Sequence, residues 1–489
     1  MVGPLLLAAA ALAAQDAAAP EEEADFYRLI TVPQPEGVVL EVGGMALLPD
    51  GRPIVCTRRG QVWVVDNAFA ADAEEPGVVR YTLFAEGLQE TLGLLVHEGW
   101  IYTVQRGELS RMRDVDGDDR MDELETVADP WHISGNYHEY NFGPRLGPDG
   151  RLWITTNKPF GGEPFGRANW RGFALSIGLD GTWEPVCCGL RSPAGIQNSP
   201  WGDVFYTDNQ GEWCGASKLS LLRPGSCHGH PWGMFSCEES EWTYGDPGDP
   251  PDGVLMPDVH ETIPSFELPA VWFPYDKTGR SPSGFVWDQT DGAFGPFAGQ
   301  VFVGDQYAAM LLRVYLEEVG GRYQGAVFPF RRGLASGVIR VAWGTDQTLM
   351  VGMSDRGWPS LGSAPFGLQR VAWTGKMPFE IHEMRARPDG FELTFTRPID
   401  PATAEDPSAL RMESYTYRLH ASYGSAEMET QELDVVEARP SEDGLTLRLK
   451  VDGLRAGYVH ELHLPELRSA DGQPLLHDDA YYTLIEIPE

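Results

Sequence analysis

Four stretches of this chain carry residue types whose spacing can do chemistry. Asp114-Val-Asp-Gly-Asp-Asp-Arg-Met-Asp122 sets carboxylates at loop positions 1, 3, 5 and 9, with the main chain of Arg120 at position 7 and Glu125 at position 12. Oxygens at that spacing wrap a hard divalent cation. Asp114, Asp116, Asp118, Arg120, Asp122 and Glu125 are therefore expected to hold a structural calcium that pins a loop. Asp119 stands where such a turn prefers Gly, and the flanks read as strand, so an acidic solvated turn is the competing reading. The second stretch, His138-Glu-Tyr-Asn141, offers a general base near neutral pH. Gly189-Leu-Arg-Ser-Pro-Ala-Gly195 and Asp208-Asn-Gln-Gly-Glu212 add Arg191, Ser192, Asp208, Asn209 and Glu212. An Arg there supplies paired hydrogen bonds to carboxylate or quinone oxygens.

These segments need elements that bring them together, and an internal repeat supplies them. Short apolar runs meet Gly- or Asp-containing turns and reverse into second apolar runs. Examples are Met45-Ala-Leu-Leu-Pro-Asp-Gly-Arg-Pro-Ile-Val-Cys56 and Arg145-Leu-Gly-Pro-Asp-Gly-Arg-Leu-Trp-Ile154. The turns fall near residues 50, 99, 149, 202, 299 and 346. A repeat of about 50 residues built from hairpins reads as a β-propeller, because no blade buries both faces alone. The expectation is an all-β chain: a six-bladed β-propeller over 26–376 with a long insertion at 208–282. Residues 377–489 alternate cleanly, as in Leu445-Thr-Leu-Arg-Leu-Lys450, and predict an immunoglobulin-like β-sandwich. No catalytic cluster stands out in that tail, so its default role is a spacer or an interaction module.

Composition narrows the partners. The 489 residues hold 37 Lys plus Arg against 72 Asp plus Glu, a net charge of −35. Such a chain repels nucleic acid and anionic membranes. The apolar run Met1–Gln15 ends in an Ala-x-Ala-like site near Ala13 or Ala14 and reads as a secretory signal (1–14), followed by an acidic linker (15–25). No later segment is long and apolar enough to predict a membrane span. Export to the periplasm or outside the cell suits six cysteines, and a disulfide is expected among Cys214, Cys227 and Cys237. Cys187 and Cys188 are read either as a strained vicinal pair or as ordinary thiols. Cys227, His228 and His230 offer metal-ligand types, but alternation in an extended turn would point them apart. Trp201, Trp213, Trp232 and Trp242 are candidates for stacking on sugar faces.

The run Arg145–Asn157, the Gly189–Gly195 turn and Val301-Phe-Val-Gly-Asp305 resemble the soluble quinoprotein glucose/sorbosone dehydrogenases over about residues 26–376. The wider arrangement is similar to a secreted, dehydrogenase-like propeller family common in planctomycete-type bacteria. Its shared features are Thr57-Arg-Arg-Gly60, the Asp-x-Asp-Gly-Asp loop, Asp208-Asn-Gln-Gly211 and a following immunoglobulin-like domain. The resemblance implies pyrroloquinoline quinone (PQQ) with calcium, and a His that abstracts a sugar hydroxyl proton while hydride passes to the quinone. It also implies an external electron acceptor. Carried over, it points to His138, Asn141, Arg191 and Asp208 as catalytic, and to Gln89, Arg191, Ser192 and Arg340 as cofactor contacts. Gln210, Gly211 and Glu212 fall near the family's calcium-binding turn. Departures are plain. Ser192 replaces the usual Asn. The position four residues before Arg145 is Asn141, with His138 three further on. The late Arg pair falls on Gly337 and Ile339, and alternation would turn Arg340 to the other strand face. Positive partners for a cofactor with several carboxylates thus look few. The alternatives are a propeller that binds a glycan or protein without catalysis, and a metal-dependent lactonase, for which Asp208 is present but Ala194 takes the place of the Asn.

Overall fold

The computed structural model describes residues 21–161, 167–405 and 407–489. The expected leader and the first part of the acidic linker lie outside the described residues. Six four-stranded antiparallel units follow one another. The first joins Val42–Leu47, Pro53–Thr57, Val62–Asp66 and Arg80–Ala85. The second joins Leu95–His97, Trp100–Val104, Leu109–Arg113 and Glu123–Ala128. The third joins Asn141–Leu146, Leu152–Thr156, Ala174–Ile177 and Trp183–Cys187. Pro193–Asn198, Val204–Asp208, Ser217–Leu221 and Val271–Phe273 make the fourth. Pro282–Trp287, Val301–Asp305, Met310–Val319 and Arg322–Arg331 make the fifth. The sixth takes Val338–Trp343, Leu349–Ser354 and Phe366–Trp373 and is completed by the N-terminal strand Tyr27–Val32, in register from Tyr27 opposite Trp373 to Val32 opposite Leu368. Each turn picked out from the sequence lies between the first and second strands of one unit.

First strands of successive units pack side by side, and the sixth returns to the first, so the units form a propeller-like ring. Glycine sets how close they come. A Cβ on Gly93 would sit 1.9 Å from the Gly143 carbonyl oxygen, and one on Gly195 would sit 2.2 Å from that of Ser283. Only glycine allows this approach, and it draws the axis of the ring into a narrow channel. Five of the six first strands also carry a register irregularity, at Val42/Gly44, Phe142/Arg145, Pro193/Gly195, Pro282/Phe285 and Val338/Arg340. Such bulges re-aim side chains that simple alternation would place elsewhere.

Three expectations need correction. Residues 208–282 do not form one insertion: Ser217–Leu221 and Val271–Phe273 are strands of the fourth unit, and the excursion between them is 222–270. The described part of the acidic linker is docked. Glu23 meets Arg331, Arg332 and His477, while Glu21 meets Lys376 and Arg397. The tail is more than a spacer. It forms two four-stranded sheets, one of Ile381–Arg387, Gly390–Phe395, Thr446–Val451 and Val435–Pro440, the other of Arg411–Thr416, Met428–Leu433, Tyr458–His463 and Asp479–Leu484. Their apolar faces share one core that includes Phe391, Leu449, Leu462 and Tyr482. The strand Asp479–Leu484 pairs with the outer edge of the fifth unit through Gly325–Thr483, Ala326–Tyr482 and Val327–Tyr481. Ring and tail thus share one eight-stranded sheet.

The cysteines are six buried free thiols. Cys187 and Cys188 are both free and pack into separate cores, so they form no vicinal disulfide. Cys188 approaches Cys227 and Cys237, while Cys214 donates instead to the Ala216 carbonyl. His228 turns to Ser226 and His230 to the Trp232 amide, so Cys227, His228 and His230 do not converge.

Candidate functional site

The loops at one end of the ring enclose a cavity of about 320 Å³ over the mouth of the channel. Its wall contains Arg58, Arg191, Arg280, Arg340 and Arg356, and among the described residues no Asp or Glu lines it. Four of the arginines are paired with carboxylates set outside the wall, Arg58 with Glu90, Arg191 with Glu212, Arg280 with Asp276 and Arg356 with Glu41, which leaves Arg340 as the unpaired one. The five arginines come from segments up to 298 residues apart, so their meeting on one wall is not visible in composition, while the expectation of few free positive partners stands.

His138 lies where the resemblance needs a base, by a route the sequence did not show. The buried Glu139 carboxylate accepts from the amides of Ser134, Gly135 and Asn136, curling the loop before it. The Asn136 side chain then accepts from the His138 and Phe160 amides and donates to the Phe160 carbonyl, fastening that loop to the next. His138 stacks on Phe160 at 3.6 Å between ring centroids. Its Nδ1 lies 2.6 Å from the Lys158 carbonyl oxygen, which can only accept, so the proton is on Nδ1 and Nε2 is the open acceptor. Burial, with help from the Arg191 and Lys158 charges, lowers its pKa to about 3, so the ring is neutral at neutral pH. The Ser192 hydroxyl is 3.0 Å from Nε2 and donates to it, while Asn157 Nδ2 donates to Ser192 Oγ from 3.3 Å.

Asp208 works from behind the wall. Its carboxylate accepts from the Arg191 amide at 3.1 Å, the Ser192 amide at 2.7 Å and the Asn209 amide at 3.0 Å. It fixes the turn that presents Arg191 and Ser192, and burial raises its pKa. Arg191 Nε donates to Glu212 at 2.9 Å, and Lys158 Nζ reaches the other Glu212 oxygen at 2.8 Å. Burial would raise the Glu212 carboxyl, but Arg191 and Lys158 outweigh it and hold its pKa at about 2.

Arg340 reaches the cavity floor because of the irregularity between Val338 and Arg340, which breaks the alternation assumed from sequence. It is buried, with its guanidinium 4.8 Å from the Phe142 ring centre. It donates only to carbonyls, those of Ala194 at 2.8 Å, Leu92 at 3.0 Å and Ile339 at 2.6 Å. Burial, with the nearby Arg145 charge, lowers its pKa to about 9. No carboxylate neutralises it among the described residues.

Other expected site residues fall outside the cavity. The Asn141 amide is spent on the Gln105 and Arg106 carbonyls and on Arg171. Gln89 is exposed and absent from the wall. Gln210 lines the cavity but donates to the Gly215 carbonyl. The Gly211 carbonyl accepts from the Gly424 amide, and Glu212 is claimed by two cations. A calcium at that turn would meet Lys158 and Arg191, so Gln210, Gly211 and Glu212 do not fit one. The residues that sequence reasoning missed include Lys158, Tyr137, Tyr140, Phe160, Gln306, Trp358 and Tyr423. Only Arg58, within the Thr57–Gly60 motif, and Asn157, at the end of the Arg145 run, carried a signal.

The acidic loop is partly as expected. Ligand oxygens of Asp114, Asp116 and Asp122 lie within 4.8 Å of one another. Asp119 takes a left-handed φ of 63°, as glycine would there, and pairs with Arg52. Asp118 instead accepts from the Arg120 amide, and Glu125 pairs with Arg111, so neither side chain joins the group. Of the four tryptophans considered for sugar stacking, none lines the cavity, and Trp242 is buried.

Residues 69–220 match a family described only as a domain of unknown function, DUF7133. No curated protein matches the chain. Among solved structures, the PQQ-bound aldose sugar dehydrogenase of Streptomyces coelicolor is 17% identical, with a TM-score of 0.50, covering 73% of this chain and 100% of its own. A Trichoderma reesei enzyme of carbohydrate-active family AA12 is 11% identical, also with a TM-score of 0.50, covering 73% and 98%. The apo soluble aldose sugar dehydrogenase of Escherichia coli is 15% identical, with a TM-score of 0.48, covering 71% and 99%. The fold is therefore that of the glucose/sorbosone dehydrogenase-like propellers.

Proposed function

We propose that this protein is a secreted or periplasmic, PQQ-dependent sugar dehydrogenase-like enzyme. The carrying observation is the buried Arg340, which no carboxylate neutralises, on a cavity that also holds a neutral, pre-oriented imidazole. A planar anion with several carboxylates fits that donor set. Arg340, bonded only to carbonyls and paired with no carboxylate, would hold one of its carboxylates. When bound, the quinone supplies a two-electron acceptor for hydride from a sugar C–H, and an external acceptor must reoxidise it.

The chain's own residues handle the proton. Ser192 Oγ stands between His138 Nε2 and the cavity, so His138 reaches a substrate hydroxyl through Ser192. Ser192 takes the sugar proton as it passes its own to Nε2, while Nδ1–H stays on the Lys158 carbonyl. Asp208 holds Ser192 in place through its amide. The lactonase reading loses its support, because Asp208 is committed to three amides and Ala194 gives its carbonyl to Arg340. A structural divalent cation at Asp114, Asp116 and Asp122 belongs to the same proposal, as does an immunoglobulin-like identity for the 377–489 sheets. The test is calorimetric titration with PQQ. Binding that weakens in Arg340→Met and Arg191→Ala is expected. No binding to a folded protein would refute the cofactor.

A further inference from the structure

We propose that Tyr423, carried by the C-terminal sheet pair, forms with Tyr137 and Trp358 a rim that stacks on a neutral saccharide, so that the tail takes part in choosing the ligand. This rests on the sugar reading above.

Five aromatic side chains are at least a third exposed among the described residues, and three of them, Tyr137 (61%), Trp358 (40%) and Tyr423 (56%), stand on this one cavity. They come from three separate segments. Exposed rings gathered at the mouth of a polar cavity present flat apolar faces beside hydrogen-bonding groups, the combination that a pyranose with one C–H face and a ring of hydroxyls needs. Asn209, Gln210, Gln306 and Ser281 line the same space.

Charge separates rim from floor. Arg280 is paired with Asp276 and Arg356 with Glu41, so the outer arginines are neutralised. The buried Arg340 is not. The anionic ligand therefore belongs at the floor and an uncharged one at the rim.

Tyr423 is held where it is. The Trp213 amide donates to the His420 carbonyl at 2.8 Å, the Gly424 amide to the Gly211 carbonyl at 3.0 Å and the Ser425 amide to the Gly215 carbonyl at 2.8 Å. The Ala421 amide donates to Asp252 at 2.9 Å, and the His420 ring meets the Gly424 carbonyl at 2.7 Å. The Arg191 guanidinium lies 5.2 Å from the Tyr423 ring centre. The ring therefore needs no ordering on binding, which lowers the cost of recognition.

The experiment titrates the full chain with neutral glucose oligomers of one to four units, α-1,4- and β-1,4-linked, and separately with PQQ. The expected result is saccharide binding that falls about 10-fold in Tyr423→Ala and returns in Tyr423→Trp. Thermal unfolding of Tyr423→Ala should match the parent, since the side chain is exposed. Equal saccharide affinity in parent and Tyr423→Ala overturns the inference, as does PQQ binding without any saccharide binding. Saccharide binding through Tyr423 without PQQ binding upholds it and instead removes the dehydrogenase reading.

Discussion

His477 offers a sharp test of how the tail is fastened to the ring. Its ring is buried between two carboxylates, with Nδ1 2.7 Å from Glu380 and Nε2 3.0 Å from Glu23. Burial alone would lower its pKa, but Glu380 and Glu23 outweigh burial and lift it to about 9. The unfolded chain binds this proton only below about pH 6.5. The folded chain holds it longer, so the contribution is fully present below about pH 6.5 and disappears as pH rises through 9. The rise from 6.5 to about 9 corresponds to about 3 kcal/mol. His477→Gln takes away the ion-pair partner of Glu380 while Glu23 keeps Arg331 and Arg332, which costs about 3 kcal/mol at pH 6. Urea denaturation at half-unit steps from pH 6 to 9, with hydrogen exchange over residues 21–32, measures both. The parent should lose stability across this window, and the variant should start lower and converge on it. His463, raised to about 10 by Asp479 and Glu461, titrates alike in both proteins, so their difference isolates His477. Parallel curves, or slow exchange at residues 21–32 in the variant at pH 6, would refute the argument.

Further outcomes follow from the site. Arg340→Met should weaken PQQ binding about 10- to 100-fold, the loss of one or two charge-assisted bonds, and should lower the thermal midpoint by a few degrees at most, because the Ala194 and Leu92 carbonyls lose a donor while a desolvated cation is removed. Ser192→Ala should reduce turnover with an artificial electron acceptor about 100-fold or more at unchanged PQQ affinity. With His138 held near 3 by burial, turnover of the parent should stay level as pH falls from 7 to about 5, and a fall centred near 6.5 would contradict the buried base. Calcium should raise the thermal midpoint of the parent but not that of Asp114→Asn, and equal midpoints with calcium or chelator would remove the acidic loop as a cation site.

The sequence alone determined the parts of this protein that depend on short-range pattern. Turn chemistry at the six hairpins and period-two alternation are local properties, and they marked the ring and the paired sheets of the tail. His138, Arg191 and Ser192 were legible for the same reason, since each sits at a fixed offset from a blade strand. Tertiary structure decided the rest. Alternation placed Arg340 on the wrong face, because a bulge at Val338/Arg340 is a property of how two strands pair. Gln210, Gly211 and Glu212 read as a calcium turn acting through main-chain carbonyls, but the Gly211 carbonyl is taken by the distant Gly424 amide and Lys158 and Arg191 stand beside the turn. The tail read only as a spacer or an interaction module, because nothing local in its alternation reveals that one strand extends the fifth unit or that Tyr423 lines the cavity. The cationic wall is the clearest case. Arginines scattered through an acidic chain average to nothing in composition, and only the closing of the ring brings five of them to one wall without a carboxylate.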